Sequence, residues 1–259
     1  MRVLILGEAK SGTTLLHRAV CDALGTTPDL EVFEPEDLTD VDLTPPDLVV
    51  KKLLGNLAGH EKDAFERFDK RVLLVRDPRD RMVSSLLYDI HGSAAELEPD
   101  KIDAYVDLLR RKEQDPGGVP FLRLTHAYWR LTGKDMLSAL ARSTQRVNDV
   151  LGRFADQFHV IQYEDLVRGE TDELARHLGL ELDEVSDVGP ELQRVVRTKG
   201  SGDWQHWFTD KDLLWLRPMV SSTLRRLDYP RDWVLADEPV IDPEHCSRYV
   251  ERLVAEARA

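Results

Sequence analysis

The first patterned stretch of the chain is Val3–Leu6, an unbroken apolar run closed by Gly7. So short a run without polar alternation fits a strand covered on both faces, as in a parallel sheet. The pattern then changes to a helical one. Between Gly12 and Leu24 the apolar positions Leu15, Leu16, Ala19, Val20 and Ala23 recur at three- and four-residue intervals, and Gly25 supplies a stop. Leu30–Phe33 and Asp47–Lys51 predict a second and a third strand, and Ala58–Phe68 a helix. Arg71-Val72-Leu73-Leu74-Val75-Arg76 predicts the clearest strand of all. Asp77-Pro78 then opens a helix, with Asp as N-cap and Pro at the first helical position. From about residue 100 to 157 the spacing is mostly helical, broken near Asp115-Pro116-Gly117-Gly118. His159–Gln162 predicts a last strand. The remainder is mainly helical, with a loop near Lys199–Asp203, and in the segment Asp210–Leu227 the residues Leu213, Leu214, Leu216, Met219 and Val220 predict a core face. Strands alternating with helices predict an α/β fold, a parallel β-sheet flanked by helices on both faces. With no internal repeat, low-complexity segment or linker, residues 1–259 read as one domain.

A net charge of −13 argues against general affinity for nucleic acid or an anionic membrane, so an anionic ligand needs a local cluster of cations. Cys21 and Cys246 stand far apart and in no metal-ligand spacing, which fits the reducing cytoplasm rather than a disulfide framework. The N-terminal apolar run is too short for a signal peptide, and no stretch approaches the ~20 apolar residues of a membrane helix. The eight histidines include no HExxH or paired spacing, so no metal is expected.

Candidate chemistry begins in Gly7-Glu8-Ala9-Lys10-Ser11-Gly12-Thr13-Thr14, which joins the first strand to the first helix. Exposed N–H groups and the dipole at a helix N-terminus make an anion site. Against the nucleotide-binding pattern GxxxxGK[ST], Gly7, Gly12 and Thr14 fall in place. Thr13 stands where the lysine belongs, and Lys10 lies inside the loop instead. A P-loop kinase or NTPase acting on a small molecule, with Asp77 on Mg²⁺, is one alternative reading; a non-catalytic nucleotide-binding module is another. Lys-Ser-Gly-Thr-Thr after a short strand resembles the first loop of sulfotransferases that use 3′-phosphoadenosine 5′-phosphosulfate (PAPS), which cradles the 5′-phosphosulfate. The resemblance implies a P-loop-NTPase-like three-layer sandwich. It also implies Lys10 at the bridging oxygen, and Ser11, Gly12, Thr13 and Thr14 as backbone and hydroxyl donors.

A second segment, Arg76 to Ser85, resembles the 3′-phosphate motif of that family, in which an arginine ends a strand and a serine follows eight residues on, here Arg76 and Ser84. A strand-end arginine can aim its planar fork at a phosphate. A solvated pairing of Arg76 with Asp77 or Asp80 is the plain alternative. A third segment, Arg197-Thr198-Lys199-Gly200-Ser201-Gly202-Asp203-Trp204, is similar to the family's late lid motif Arg-Lys-Gly-x-x-Gly-Asp-Trp. Arg197 falls in register and Lys199-Gly200 is displaced by one position. The resemblance gives this loop the 3′-phosphate. Tyr163-Glu164-Asp165 is similar to a family segment whose tyrosine lies near the adenine; packing alone is the other reading of Tyr163. Where the family often has a tryptophan after its first loop, this chain has Leu15.

In-line sulfonate transfer needs a base for the acceptor's proton and positive charge at the leaving group. Many family members carry a histidine after the third strand. The corresponding stretch here, Val49-Val50-Lys51-Lys52-Leu53, has none. Phe33-Glu34-Pro35 is instead similar to the Phe-Glu-Pro segment of the carbohydrate-acting branch. That resemblance assigns Glu34 as general base and Lys10 to the leaving group, with Lys51 at the sulfonate. A solvated acidic run from Glu31 to Asp42 is the plain reading of Glu34, and His60, His91 and His126 are alternative bases. The function implied is sulfonate transfer from PAPS to the hydroxyl of a saccharide or other small molecule. Acceptor contacts are expected from residues 85 to 135 and from the late helices; the aromatics Tyr88, Tyr105, Phe121, Tyr128 and Trp129 serve either a pocket or the core.

Overall fold

The computed structural model describes residues 1–27, 30–182 and 194–259. In chain order its elements are β1 (Arg2–Gly7), α1 (Thr13–Leu24), β2 (Glu31–Phe33), β3 (Leu48–Leu53), β4 (Lys70–Val75), α2 (Pro78–Tyr88), α3 (Pro99–Gln114), α4 (Phe121–Thr132), α5 (Met136–Phe154), β5 (His159–Gln162), α6 (Tyr163–Arg168), α7 (Asp172–Leu178), α8 (Trp204–Trp207), α9 (Asp210–Arg226) and α10 (Ser247–Arg258). They fall into two compact units, Met1–Asp77 with Gln145–Gln193, and Pro78–Thr144 with Arg194–Ala259.

The first unit holds the sheet. Its strands are all parallel, in the order β2-β3-β1-β4-β5. Central β1 is buried without a break from Val3 to Gly7, as an apolar run covered on both faces requires. Edge strand β2 has only three residues, none of them buried, which leaves little free edge to pair with another chain. Register aligns the strand ends: Gly7 stands opposite both Leu53 and Leu74, Phe33 opposite Lys51, and Val75 opposite Gln162. Helix α1 lays Leu15, Leu16, Ala19 and Val20 into the core and stops at Gly25, whose φ of 63° is left-handed. The predicted helix over Ala58–Phe68 is instead a 3₁₀ segment, His60–Arg67. Only Ala64 and Phe65 of that segment are buried apolar residues, too few for an amphipathic stripe, and Glu61 turns inward to pair with Lys52.

The second unit is helical. The paired aromatics Phe121–Trp207, Phe121–Phe208 and Trp204–Trp233 fill much of its core. The Asp212 carboxylate joins two helix starts: it accepts from the Phe121 and Leu122 amides of α4, and closes a capping box with Thr209 at α9. Leu213, Leu216 and Val220 form the predicted core face of α9. Leu214 departs from it: one residue beyond Leu213 is a rotation of ~100°, and its side chain is exposed.

Candidate active site

A parallel sheet delivers the carboxyl ends of all its strands to one edge, where ligands of open α/β sheets bind. In the first unit that edge carries Lys10 after β1, Glu34 after β2, Lys51 near the end of β3, Arg76 after β4 and Tyr163 after β5.

The loop after β1 is tightly built. A side chain on Gly7 would meet Thr13 Cγ2, the Leu74 carbonyl and Ser11 Oγ at under 3 Å, so only glycine lets the loop fold back on the strand. Gly12 has a φ of 91°, and a Cβ there would stand 2.4 Å from the Tyr163 ring. Thr13, where a kinase loop has its lysine, is buried. The Ser11 hydroxyl donates to the Glu8 carbonyl at 2.6 Å, holding the loop closed. The Glu8 carboxylate is buried in a loop suited to an anion, and the fork of Arg146 neutralises it through bonds of 2.7 and 2.8 Å. Neither Glu8 nor Arg146 was picked out by motif reading. The signal available was a carboxylate inside an anion loop, which demands a cation.

Arg76 is buried rather than part of a solvated surface pair. Its guanidinium donates to the Lys10 carbonyl at 3.1 Å and lies over the Tyr163 ring at 4.3 Å. The next residue, Asp77, donates its amide to Glu164 Oε1 at 3.1 Å. The first loop, the end of β4 and the start of α6 therefore meet at one place, with Gly12, Arg76 and Tyr163 in contact.

Glu34 and Lys51 form an ion pair of 2.5 Å between Nζ and Oε1. Lys51 is buried, and its ammonium also lies over the Phe33 ring at 3.7 Å. Burial holds it below the ordinary lysine range, against the raising effect of the Glu34 hydrogen bond. Glu34 is half-buried and left-handed, with φ 53°. Lys10 is left-handed too, at 65°. Among the described non-glycine residues only Asp228 shares that conformation, and such backbone strain gathers at functional sites. His17, passed over in the sequence, packs edge-on against Phe33 at 5.6 Å; burial, with Lys51 nearby, lowers its pKa to about 4. It is neutral at pH 7. Of the alternative bases, His60 is exposed and held by Asp37 at 2.5 Å, which raises its pKa. In the second unit His91 stacks on Tyr88, and His126 lies against Trp129.

Within the second unit Ser84 is buried in α2. Two neighbours on that helix hold the late loop. The Asp80 carboxylate accepts from the Gly202 amide at 2.6 Å and the Trp204 amide at 2.9 Å. Arg79 lies over the Trp204 ring at 4.1 Å and donates to the Pro230 and Asp232 carbonyls. Arg197 is buried, paired with Asp203 at 2.5 Å and bonded to the His245 carbonyl. Lys199 and Gly200, between these fixed points, are exposed. Of the candidate acceptor aromatics, Tyr105, Phe121 and Tyr128 are core residues and Trp129 is exposed.

Among the described residues no group of three or more potential metal ligands gathers, and no helix is long and apolar enough to cross a membrane. No family profile and no curated protein matches the chain. Solved structures do. The crystal structure of retinol dehydratase with androsterone and the inactive cofactor PAP matches with a TM-score of 0.54 and 16% identity, over 88% of this chain and 82% of that one. Retinol dehydratase with retinol and PAP (0.49, 15%, 88% and 83%) and mouse sulfotransferase SULT7A1 with PAP (0.44, 13%, 100% and 89%) also match. The likeness to the first of these gives this chain the sulfotransferase fold, the P-loop-like α/β architecture that its loops predicted.

Proposed function

We propose that the chain transfers a sulfonate group from PAPS to an acceptor hydroxyl by in-line displacement. The observation that carries the reading is the meeting of two separate motifs at the carboxyl edge of the sheet: Arg76 held between the Lys10 carbonyl and the Tyr163 ring, under the turn at Gly12. An anion fits there, because the start of α1 offers its N–H groups and the Glu8 charge is already matched by Arg146.

PAPS supplies a sulfonate on a phosphate leaving group. Ser11, Gly12, Thr13 and Thr14 bind its 5′ end, and the Arg76 fork takes the 3′-phosphate. Tyr163 borders the adenine. As the acceptor oxygen forms its bond to sulfur, Glu34 takes the hydroxyl proton and Lys51 holds the sulfonate oxygens. The bond from sulfur to the bridging oxygen breaks, and the Lys10 ammonium meets the charge left on that oxygen. Motif resemblance also gives Ser84, Arg197, Lys199 and Gly200, which lie in the second unit, a part in nucleotide binding. Phe33-Glu34-Pro35 directs the proposal to a saccharide or other aliphatic hydroxyl. The two cysteines, both free and buried, fit a cytoplasmic enzyme.

Sulfur-labelled PAPS incubated with a panel of hydroxylated acceptors tests the reading. Label transfer to at least one acceptor is expected. Transfer to none, together with Mg²⁺-dependent turnover of a nucleoside triphosphate, would replace it with the kinase alternative.

A further inference from the structure

Successive side chains leave a strand on opposite faces, so the two adjacent lysines of β3 point apart. Lys51 meets Glu34. Lys52, on the other face, is buried just as deeply and reaches the same loop from behind. Its Nζ lies 2.8 Å from Glu61 Oε1 and donates at 2.8 Å to the carbonyls of both Pro35 and Glu36. Those three partners use all three ammonium protons. The Glu61 carboxylate is equally enclosed: Oε1 also accepts the Leu38 amide at 2.9 Å, and Oε2 accepts the Ala58 amide. Burial alone would raise the Glu61 pKa, but these hydrogen bonds outweigh it and keep the carboxyl below its usual range.

The segment from Glu34 to Leu38 is thus tied at nearly every residue. The Glu34 amide donates to the Lys51 carbonyl at 2.8 Å, and the groups at 35, 36 and 38 belong to the Lys52–Glu61 pair. Glu34 itself is left-handed, a state that persists in a non-glycine residue only when its surroundings over-determine it. A buried ion pair is a poor device for stability, since apolar residues of equal volume often serve as well. What this one provides is a single position for the chain beside it.

We propose that Lys52 and Glu61 are positioning residues for the transfer reaction, fixing the Phe33–Leu38 turn so that the Glu34 carboxylate is presented beside Lys51. The inference deepens the transferase reading and rests on it.

The double variant Lys52→Met/Glu61→Gln removes both charges at once and leaves no lone buried charge. Three measurements decide: amide hydrogen exchange, calorimetric binding of adenosine 3′,5′-bisphosphate (PAP), and turnover from PAPS to the best acceptor of the panel above. Exchange at Glu34 and Leu38 is expected to quicken at least ~10-fold while Ile5 and Leu6 in β1 are unchanged, and kcat to fall at least ~10-fold while the PAP Kd stays within about twofold. If the double variant does not fold, Glu61→Asp, which keeps the charge but withdraws it by one methylene, is expected to give the same split at about threefold. Loosened exchange with undiminished kcat, unchanged exchange, or a parallel loss of PAP binding and kcat would each overturn the positioning role alone. Wild-type protein that transfers nothing from PAPS would overturn the transferase reading and this inference together.

Discussion

The two motif-bearing regions of the molecule use their arginines differently. At the sheet edge of the first unit, Arg76 donates to the Lys10 carbonyl and lies over the Tyr163 ring, joining the ends of three strands. In the late loop of the second unit, Arg197 is held by a carboxylate, and the loop's far end is pinned to α2 by Asp80 and Arg79. The first arginine ties together segments brought to the sheet edge from different strands; the second closes its own loop through a charge-assisted bond. The sheet edge is therefore a junction of several segments, and the late loop is a braced structure whose exposed part is the short stretch around Lys199 and Gly200.

The comparison can be broken most sharply at Glu34. Glu34→Gln keeps the shape of the turn and removes the base, so turnover from labelled PAPS should fall by about 10²–10⁴ while the PAP Kd changes less than about twofold. Near-normal turnover would end its role as base. Next in size is Arg76→Ala. Hydrogen bonds to charged groups are worth about 1.5–3 kcal/mol, so PAP binding measured by calorimetry should weaken roughly 10- to 150-fold. An unchanged Kd would make Arg76 a merely structural arginine. In the second unit the expected loss is in stability rather than binding. Asp80→Asn removes the charge from two short bonds to the late loop, and urea unfolding should show a cost of about 1.5–3 kcal/mol. A fully stable variant would mean that the loop is not braced there.

The smallest effect concerns pH. His17 titrates at about 4 in the folded chain, below its ordinary value of 6.5, because burial disfavours its charged form. Between those two values the unfolded chain binds the extra proton, so stability rises with pH across that window and is lost as pH falls through it. The slope from this residue should approach about 1 kcal/mol per pH unit, and His17→Gln should remove it from urea melts taken at pH 4.5, 5.5 and 6.5.

Much of the first region was legible in the sequence because its logic is local. The run Val3–Leu6, the glycines at 7 and 12, and an arginine directly after Val75 each state a strand end or a turn within a few residues. A parallel sheet then collects those ends without further instruction. What could not be read are partnerships across long stretches of chain. Arg146 reaches Glu8 over 138 positions, and Asp80 reaches Trp204 over 124. Lys52 and Glu61 look like ordinary surface residues until β3 buries one and the 3₁₀ segment turns in the other. Apolar spacing misled over Ala58–Phe68, where too few apolar residues face inward for a helix, and at Leu214, because hydrophobicity alone does not say which neighbour of Leu213 faces out.

The central claim is that the edge bearing Lys10, Arg76 and Tyr163 receives a doubly phosphorylated adenosine. Titrating PAP into the folded protein by calorimetry tests it most directly. Saturable heat with one site per chain, undiminished when Mg²⁺ is chelated, is the predicted result; absence of heat from protein whose circular dichroism shows the α/β fold would contradict it.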